Sequence, residues 1–234
     1  SPLWQKIPAS VEQNSYRRRL KRLLSALGEP PEIRYSKWMS IFDSTRKQSL
    51  YTEEFRQQLA AEAREDFILM TYRDVPSRFD FLTRTTLVDI LSYLPCDILP
   101  KVDIASMAYA LEVRCPFLDQ HVTEFATSLP MHWKRRGGKG KRILLETFGD
   151  LVPESIQNRP KMGFGVPLDH WFRGELQPLL KEVLLDPQSL SRGYFRPAAV
   201  EQLIQEHVTS QFDHSYRLWS LLVLELWQQR FVDR

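Results

Sequence analysis

HSYRLWSLLVLELWQQRF (residues 214–231) carries apolar side chains nearly all the way round a helical wheel, through Leu218, Trp219, Leu221, Leu222, Leu224 and Trp227. A helix of that kind is normally central to a core, and reading this one so decides the fold class. Its most apolar run, Leu218 to Trp227, is about ten residues long and contains Glu225, against the roughly 20 that cross a bilayer. It reads as a core helix and not as a membrane span.

Other helical stripes lie upstream of it. Leu20, Leu23, Leu24 and Leu27 fall at i, i+3, i+4 and i+7, opposite Arg17, Arg18, Lys21 and Arg22, and Gly28-Glu29-Pro30-Pro31 ends that amphipathic helix. Tyr35, Trp38, Met39 and Phe42 suggest a short second helix, and Glu53 to Met70 has helical composition. Between Ser77 and Leu94 the apolar positions Phe79, Leu82, Leu87, Ile90, Leu91 and Leu94 again keep a helical period, with Pro95 closing the element. Asp103 is placed to cap a helix through Met107 and Leu111, and Asp119 to cap another through Val122, Phe125 and Ala126. No period-2 alternation runs for six residues. Glycine is scarce, 9 residues against 15 prolines, which favours helices with proline corners over glycine-hungry strand turns. The chain therefore reads as all-α, a multi-helix orthogonal array forming a single domain over residues 1–234.

At 43% hydrophobic and 26% charged the 234 residues can bury a sizeable core, which excludes disordered and collagenous chains. A formal charge of +3 is too small to imply a polyanionic partner, so nucleic-acid binding through Arg17–Arg22 and Lys134–Lys141 ranks last among the functions considered. Cys96 and Cys115 are too far apart for a CxxC pair and sit among apolar residues and prolines, so both are expected as packed thiols in a reducing, cytoplasmic protein. His121, His132, His170, His207 and His214 form no HExxH and no close ligand pair, and no metal site is assigned.

Gly137-Gly138-Lys139-Gly140-Lys141 is the strongest chemical candidate. A glycine-rich turn feeding a helix presents backbone N–H groups to an anion. A cation in the first helical turn opposes the macrodipole by about 0.3–1 kcal/mol, a cost that a bound phosphate reverses. The turn is not a Walker A loop, because Arg142 stands where Ser or Thr is needed. Arg159-Pro160-Lys161-Met162-Gly163-Phe164-Gly165 is a second basic, glycine-containing loop. Asp103 also reads as a plain helix cap, and Arg114 as an ion-pair partner of Glu112 or Asp119.

Taken together, Tyr93-Leu94-Pro95-Cys96-Asp97-Ile98-Leu99, Lys101-Val102-Asp103, Ser106-Met107-Ala108, Leu111-Glu112-Val113-Arg114 and Pro116-Phe117-Leu118-Asp119 resemble the C-terminal synthetase domain of the glutamine-hydrolysing asparagine synthetase family. Gly138-Lys139-Gly140-Lys141, the 159–167 loop and Arg217-Leu218-Trp219 continue the resemblance, which is strong over residues 81–231 and weaker over 17–80. It implies an ATP- and magnesium-dependent enzyme that adenylates a carboxylate, aspartate or another, and lets glutamine-derived ammonia displace AMP. By the same resemblance Lys141 is the catalytic cation, Lys161 and Gly140 meet ATP and its pyrophosphate, and Asp103 lines the substrate side.

The departures are equally specific. The family's N-terminal cysteine nucleophile, its Ser-Gly-Gly-x-Asp-Ser pyrophosphate loop and its acidic Ser-Gly-Glu-Gly stretch do not occur in these residues. The expectation is a C-terminal piece that binds ATP weakly and is inactive alone, its partners being the glutaminase and nucleotide-binding segments. Cys96, Ile104 and Leu145 replace charged residues common in the family, which leaves the acceptor carboxylate open. The alternative is a non-catalytic helical interaction module that kept the fold.

Overall fold

The structure is a computed structural model and describes residues 28–61, 66–159 and 165–233. The expected helix over 17–27 lies outside them. The described residues are predominantly helical, and their only strands form one two-stranded hairpin. They gather into two compact units, one from residues up to 65 together with those from 165 onward, the other from residues 66–164.

In the first unit, α1 (Pro31–Met39), α2 (Ser44–Leu50) and α3 (Glu53–Ala61) are followed in space by α11 (Leu168–Arg173), α12 (Gln177–Leu184), α13 (Pro187–Ser191), α14 (Pro197–Val208) and α15 (Ser215–Phe231). The core is a continuous cluster of Leu50, Leu168, Phe172, Leu180, Val183, Leu184, Val200, Ile204, Leu218, Leu221 and Leu222. Leu50–Thr52 is stitched to the turn at 193–196 by Arg196 N–H to Leu50 O at 2.8 Å and Thr52 N–H to Tyr194 O at 3.1 Å. Around that stitch Phe55 packs against Tyr194 and Tyr51, with ring centroids 4.9 and 5.1 Å apart.

The C-terminal helix runs as expected, but it buries one face and not its whole circumference. Ser215, Leu218, Leu221, Leu222, Glu225 and Gln228 point inward, while Trp219, Val223, Leu226 and Trp227 are exposed, Trp227 by 50%. Trp227 was expected in the core and is not there. Glu225 selects the face, because Arg192 grips its carboxylate with two guanidinium nitrogens at 2.7 and 2.9 Å and also pairs with Asp233. Those partners raise the guanidinium pKa further above its already high ordinary value, and Arg192 in turn lowers that of Asp233.

The second unit holds α4 (Phe67–Asp74), α5 (Phe81–Leu91), α6 (Leu99–Met107), α7 (Gln120–Ser128), α8 (Met131–Lys134), α9 (Arg142–Phe148) and α10 (Glu154–Gln157). Asp66, Asp80 and Asp119 cap the first, second and fourth of these by accepting backbone N–H bonds. Thr83 donates to the Asp80 carboxylate and lowers its pKa. Tyr72, Val75 and Val88 are buried here. The Tyr72 hydroxyl meets Thr85 Oγ1 at 2.7 Å, and Arg84 donates to Tyr72 O at 2.8 Å while lying over its ring.

Several local expectations are corrected here. Pro95 does not mark the end of the expected helix: α5 already stops at Leu91, and Pro95 sits beyond it in a π-helical turn, Leu94–Ile98, that leads directly into α6. Asp103 consequently lies inside α6 and caps nothing. The 53–70 stretch is not one helix, since Asp66 starts α4 anew. Cys96 and Cys115 are exposed, not packed. Arg114 does pair with Glu112. Among the described residues no helix is long and apolar enough to cross a membrane.

The buried stripe of α15 predicts unequal costs along one helix. Leu218→Ala should destabilise the chain by about 2–5 kcal/mol and Trp227→Ala by under about 1 kcal/mol, read from urea midpoints; equal losses would contradict the assigned face.

Candidate functional site

Gly137 and Gly138 form the turn of a hairpin, not an open anion-binding loop. β1 (Arg135–Arg136) pairs antiparallel with β2 (Lys139–Gly140), Arg135 opposite Gly140 and Arg136 opposite Lys139. Both turn glycines have positive φ, +55° and +83°, the conformation that a two-residue hairpin turn of the right twist demands at both positions. The sequence contains this hairpin as a Gly-Gly pair between basic residues, and two-residue strands are too short to show alternation.

The hairpin is anchored at its base. Lys134 Nζ donates to Thr127 O at 3.1 Å, and burial lowers the Lys134 pKa although the Asp80 charge pulls it back up. Arg142 stacks over the Trp133 ring at 5.1 Å, donates to His132 O at 3.0 Å and to Glu146 Oε1 at 2.7 Å. These contacts occupy the two cations at the ends of the basic stretch. Arg135, Arg136, Lys139 and Lys141 between them remain exposed.

Lys141 is the N-cap residue of α9 and not part of its first turn. Its backbone is left-handed, φ +57° and ψ +31°, its side chain makes no cap hydrogen bond, and its carbonyl accepts from Leu145 N–H at 3.0 Å. A left-handed conformation costs a non-glycine residue about 1–2 kcal/mol. The chain therefore keeps a lysine where glycine would be more comfortable, on a rigid hairpin exit with its ammonium in solvent. Gly140 sits in β2, and a Cβ there would meet nothing within 4 Å.

Asp103 is exposed on α6, its carbonyl accepting from Ser106 Oγ at 3.1 Å, and it makes no ion pair with Lys141. Its neighbours are unusually apolar for solvent: Ile104 is 70% exposed, and Met107, Tyr109, Leu111 and Phe117 are exposed as well. Lys161 lies outside the described residues. No cluster of three or more His, Cys, Asp or Glu side chains among the described residues could hold a metal ion.

Comparison with known proteins agrees with the motif reading. Residues 4–229 match the family described as asparagine synthase. The chain is similar to asparagine synthetase [glutamine-hydrolyzing] 1 of Bacillus subtilis, 29% identical over 214 residues, covering 92% of this chain and 33% of that protein. It is also similar to a putative asparagine synthetase [glutamine-hydrolyzing] of Mycobacterium tuberculosis, 38% identical over 157 residues, 66% of this chain and 24% of that one. Amidase chry2 of Gibberella zeae is 24% identical over 196 residues, 81% of this chain and 27% of its own. The chain thus spans about a quarter to a third of the length of the curated relatives it matches. No solved structure matches.

The strain at Lys141 predicts that Lys141→Gly stabilises the chain by about 0.5–1 kcal/mol, the relief of a left-handed side chain less the extra entropy of glycine. Gly138→Ala should destabilise it. Chemical denaturation of both variants tests this, and a destabilised Lys141→Gly would contradict it.

Proposed function

The chain belongs to the asparagine synthase family, and from that premise we propose that it supplies the helical part of an ATP-dependent amide-forming site. In this reading a carboxylate oxygen of the acceptor attacks the α-phosphorus of ATP and the bond to pyrophosphate breaks. Ammonia from glutamine then adds to the acyl carbon, loses a proton, and AMP leaves with the electron pair. Negative charge gathers on the phosphoryl oxygens in the first step, and a fixed cation aimed at them lowers that barrier.

Lys141 takes that role. The observation that carries the reading is its strained, left-handed backbone, which puts an ammonium at the exit of a clamped hairpin without an ion-pair partner among the described residues. Gly140 and Lys161 contact the nucleotide and departing pyrophosphate, and Asp103 faces the acceptor, aspartate or another carboxylate. Magnesium accompanies ATP in the family. Among the described residues no group of three or more His, Cys, Asp or Glu side chains could hold it by itself. The nucleotide loop and the glutaminase nucleophile belong to segments other than these 234 residues, and a cytoplasmic location follows from the reading.

The alternative, a helical interaction module without chemistry, draws on the exposed apolar side chains around Ile104 and Tyr109. Kinetics separate the two. In the protein that carries this chain with its other segments, Lys141→Ala should lower kcat on the order of 10²–10³ and change the KM for ATP little. Lys141→Arg should fail too, since a guanidinium does not replace a compact ammonium at one phosphate oxygen. Unchanged pyrophosphate release in Lys141→Ala, with loss in Lys139→Ala, would overturn the assignment. The 234-residue chain alone should show little ATP binding by calorimetry; micromolar affinity, about 8 kcal/mol, would contradict it.

A further inference from the structure

The turn between α14 and α15 holds two inward-facing histidines that the amide-forming reading does not use. His207 is fully buried and His214 is 9% exposed. The His214 backbone N–H donates to His207 Nδ1 at 3.1 Å, so neutral His207 carries its proton on Nε2. Arg217 can only donate, and its Nη1 lies 2.6 Å from His214 Nδ1. His214 therefore also carries its proton on Nε2, which donates to Glu206 Oε2 at 2.7 Å. Each imidazole uses its Nδ1 lone pair as an acceptor, but only the His207 bond, to the His214 N–H, closes residues 209–214 against α14; the His214–Arg217 contact lies within the first turn of α15.

A proton on either ring lands on that lone pair. On His207 it would face the His214 N–H, donor against donor; on His214 it would face the Arg217 guanidinium while leaving the Nε2–H bond to Glu206 in place. His207 also has a second partner in waiting. Asp213 Oδ1 stands 3.8 Å from His207 Nδ1, and at present it accepts the Ser215 N–H at 3.0 Å and so caps α15. A protonated His207 can exchange the His214 amide for the Asp213 carboxylate only by drawing Asp213 toward it.

We propose that His207 is a proton-operated latch at the start of α15: neutral, its Nδ1 holds the His214 N–H; protonated, it gives up that amide and draws Asp213 off the Ser215 N–H, loosening the first turn of α15 while the His214–Glu206 bond stays. The groups around it are Asp169 and Arg173 on α11, the latter donating to His207 O at 3.0 Å, Glu206 on α14, Asp213 in the turn and Arg217 on α15. Exposed His170 stands beside Asp169.

The energetics agree in sign with the geometry. Burial lowers the His207 pKa, Arg173 adds to this and Asp213 opposes it; burial also lowers that of His214, against its bond to Glu206 and with the help of Arg217. A histidine whose pKa is lower folded than unfolded contributes stability that is complete above about 6.5 and is lost as pH falls from there through the folded value. Opening is eased by the turn itself, where Ser210 holds a left-handed φ of +59°. The latch is independent of the adenylation reading and would survive its failure.

Hydrogen exchange of the 234-residue chain, followed by mass spectrometry and corrected for intrinsic rates, tests it. Protection of the peptide that carries the His214 and Ser215 amides should fall at least about tenfold between about pH 7.5 and 5.5, while that of α12 stays within about twofold. His207→Asn keeps an acceptor for the His214 N–H that cannot be protonated, and should flatten most of the drop; Asp213→Asn should remove the waiting partner and shift the drop to lower pH. Should His207→Asn not fold, ring nitrogen NMR of the unaltered chain decides: His207 as the Nε2–H tautomer at neutral pH, losing that state together with the protection, supports the latch. Protection independent of pH, an unchanged drop in a folded His207→Asn, or a His207 ring already protonated near pH 7 overturns it.

Discussion

A single buried carboxylate orients the helix on which the first unit is built. α15 offers apolar side chains on almost every side, so hydrophobic burial alone does not choose which of them face inward. Glu225 does. With its side chain 6% exposed, it needs a partner, and Arg192, 11% exposed, meets it with two parallel hydrogen bonds. Once Glu225 is turned inward, helical spacing turns Leu218, Leu221, Leu222 and Gln228 inward with it, and Trp219, Val223, Leu226 and Trp227 are left outside. Removing one member of such a pair leaves an uncompensated buried charge, whereas a well-packed apolar pair in its place could be equally stable. The ion pair therefore acts mainly through geometry: it fixes the helix rotation and ties it to the turn that holds Leu50–Thr52.

This explains why helix existence was legible in the sequence and helix facing was not. The 3.6-residue stripes, the Asp119 cap, the Glu112–Arg114 pair and the all-α class follow from local spacing. Trp227 was misplaced because an all-round apolar pattern carries no facing information, and the deciding residue was the one acid in it. Pro95 misled for a different reason. The preceding helix stops short of it at Leu91, and Pro95 instead lies in the π-helical turn that opens the next helix, which puts that helix's start upstream of Asp103 and leaves Asp103 in its interior. The cysteines were expected inside because their neighbours are apolar, yet Phe117 and Leu118 are themselves exposed.

For the candidate site the sequence yielded the residue and missed its setting. Successive glycines before a helix read equally as an anion cradle and as a hairpin turn, and the difference lies in strand pairing between residues that no alternation marks. The outcome changes the physical argument for Lys141. It is not a lysine tolerated against the helix dipole inside a first turn, but a lysine at the cap, displayed by a hairpin whose flanking cations are already engaged by Thr127, Trp133 and Glu146.

Three described non-glycine residues hold positive φ: Ala110, Lys141 and Ser210. Ala110 and Ser210 end α6 and α14 in the position where glycine is usual, with Leu111 N–H reaching Ser106 O at 3.1 Å and Gln211 N–H reaching Glu206 O at 2.9 Å. Glycine at these places would cost nothing sterically, so each substitution stores on the order of 1 kcal/mol that the surrounding bonds must hold. In the α14–α15 turn those bonds include the one made by the His207 Nδ1 lone pair to the His214 N–H. A helix end strained at Ser210 and closed by a lone pair that is lost on protonation of His207 couples local backbone strain to the charge of one buried ring.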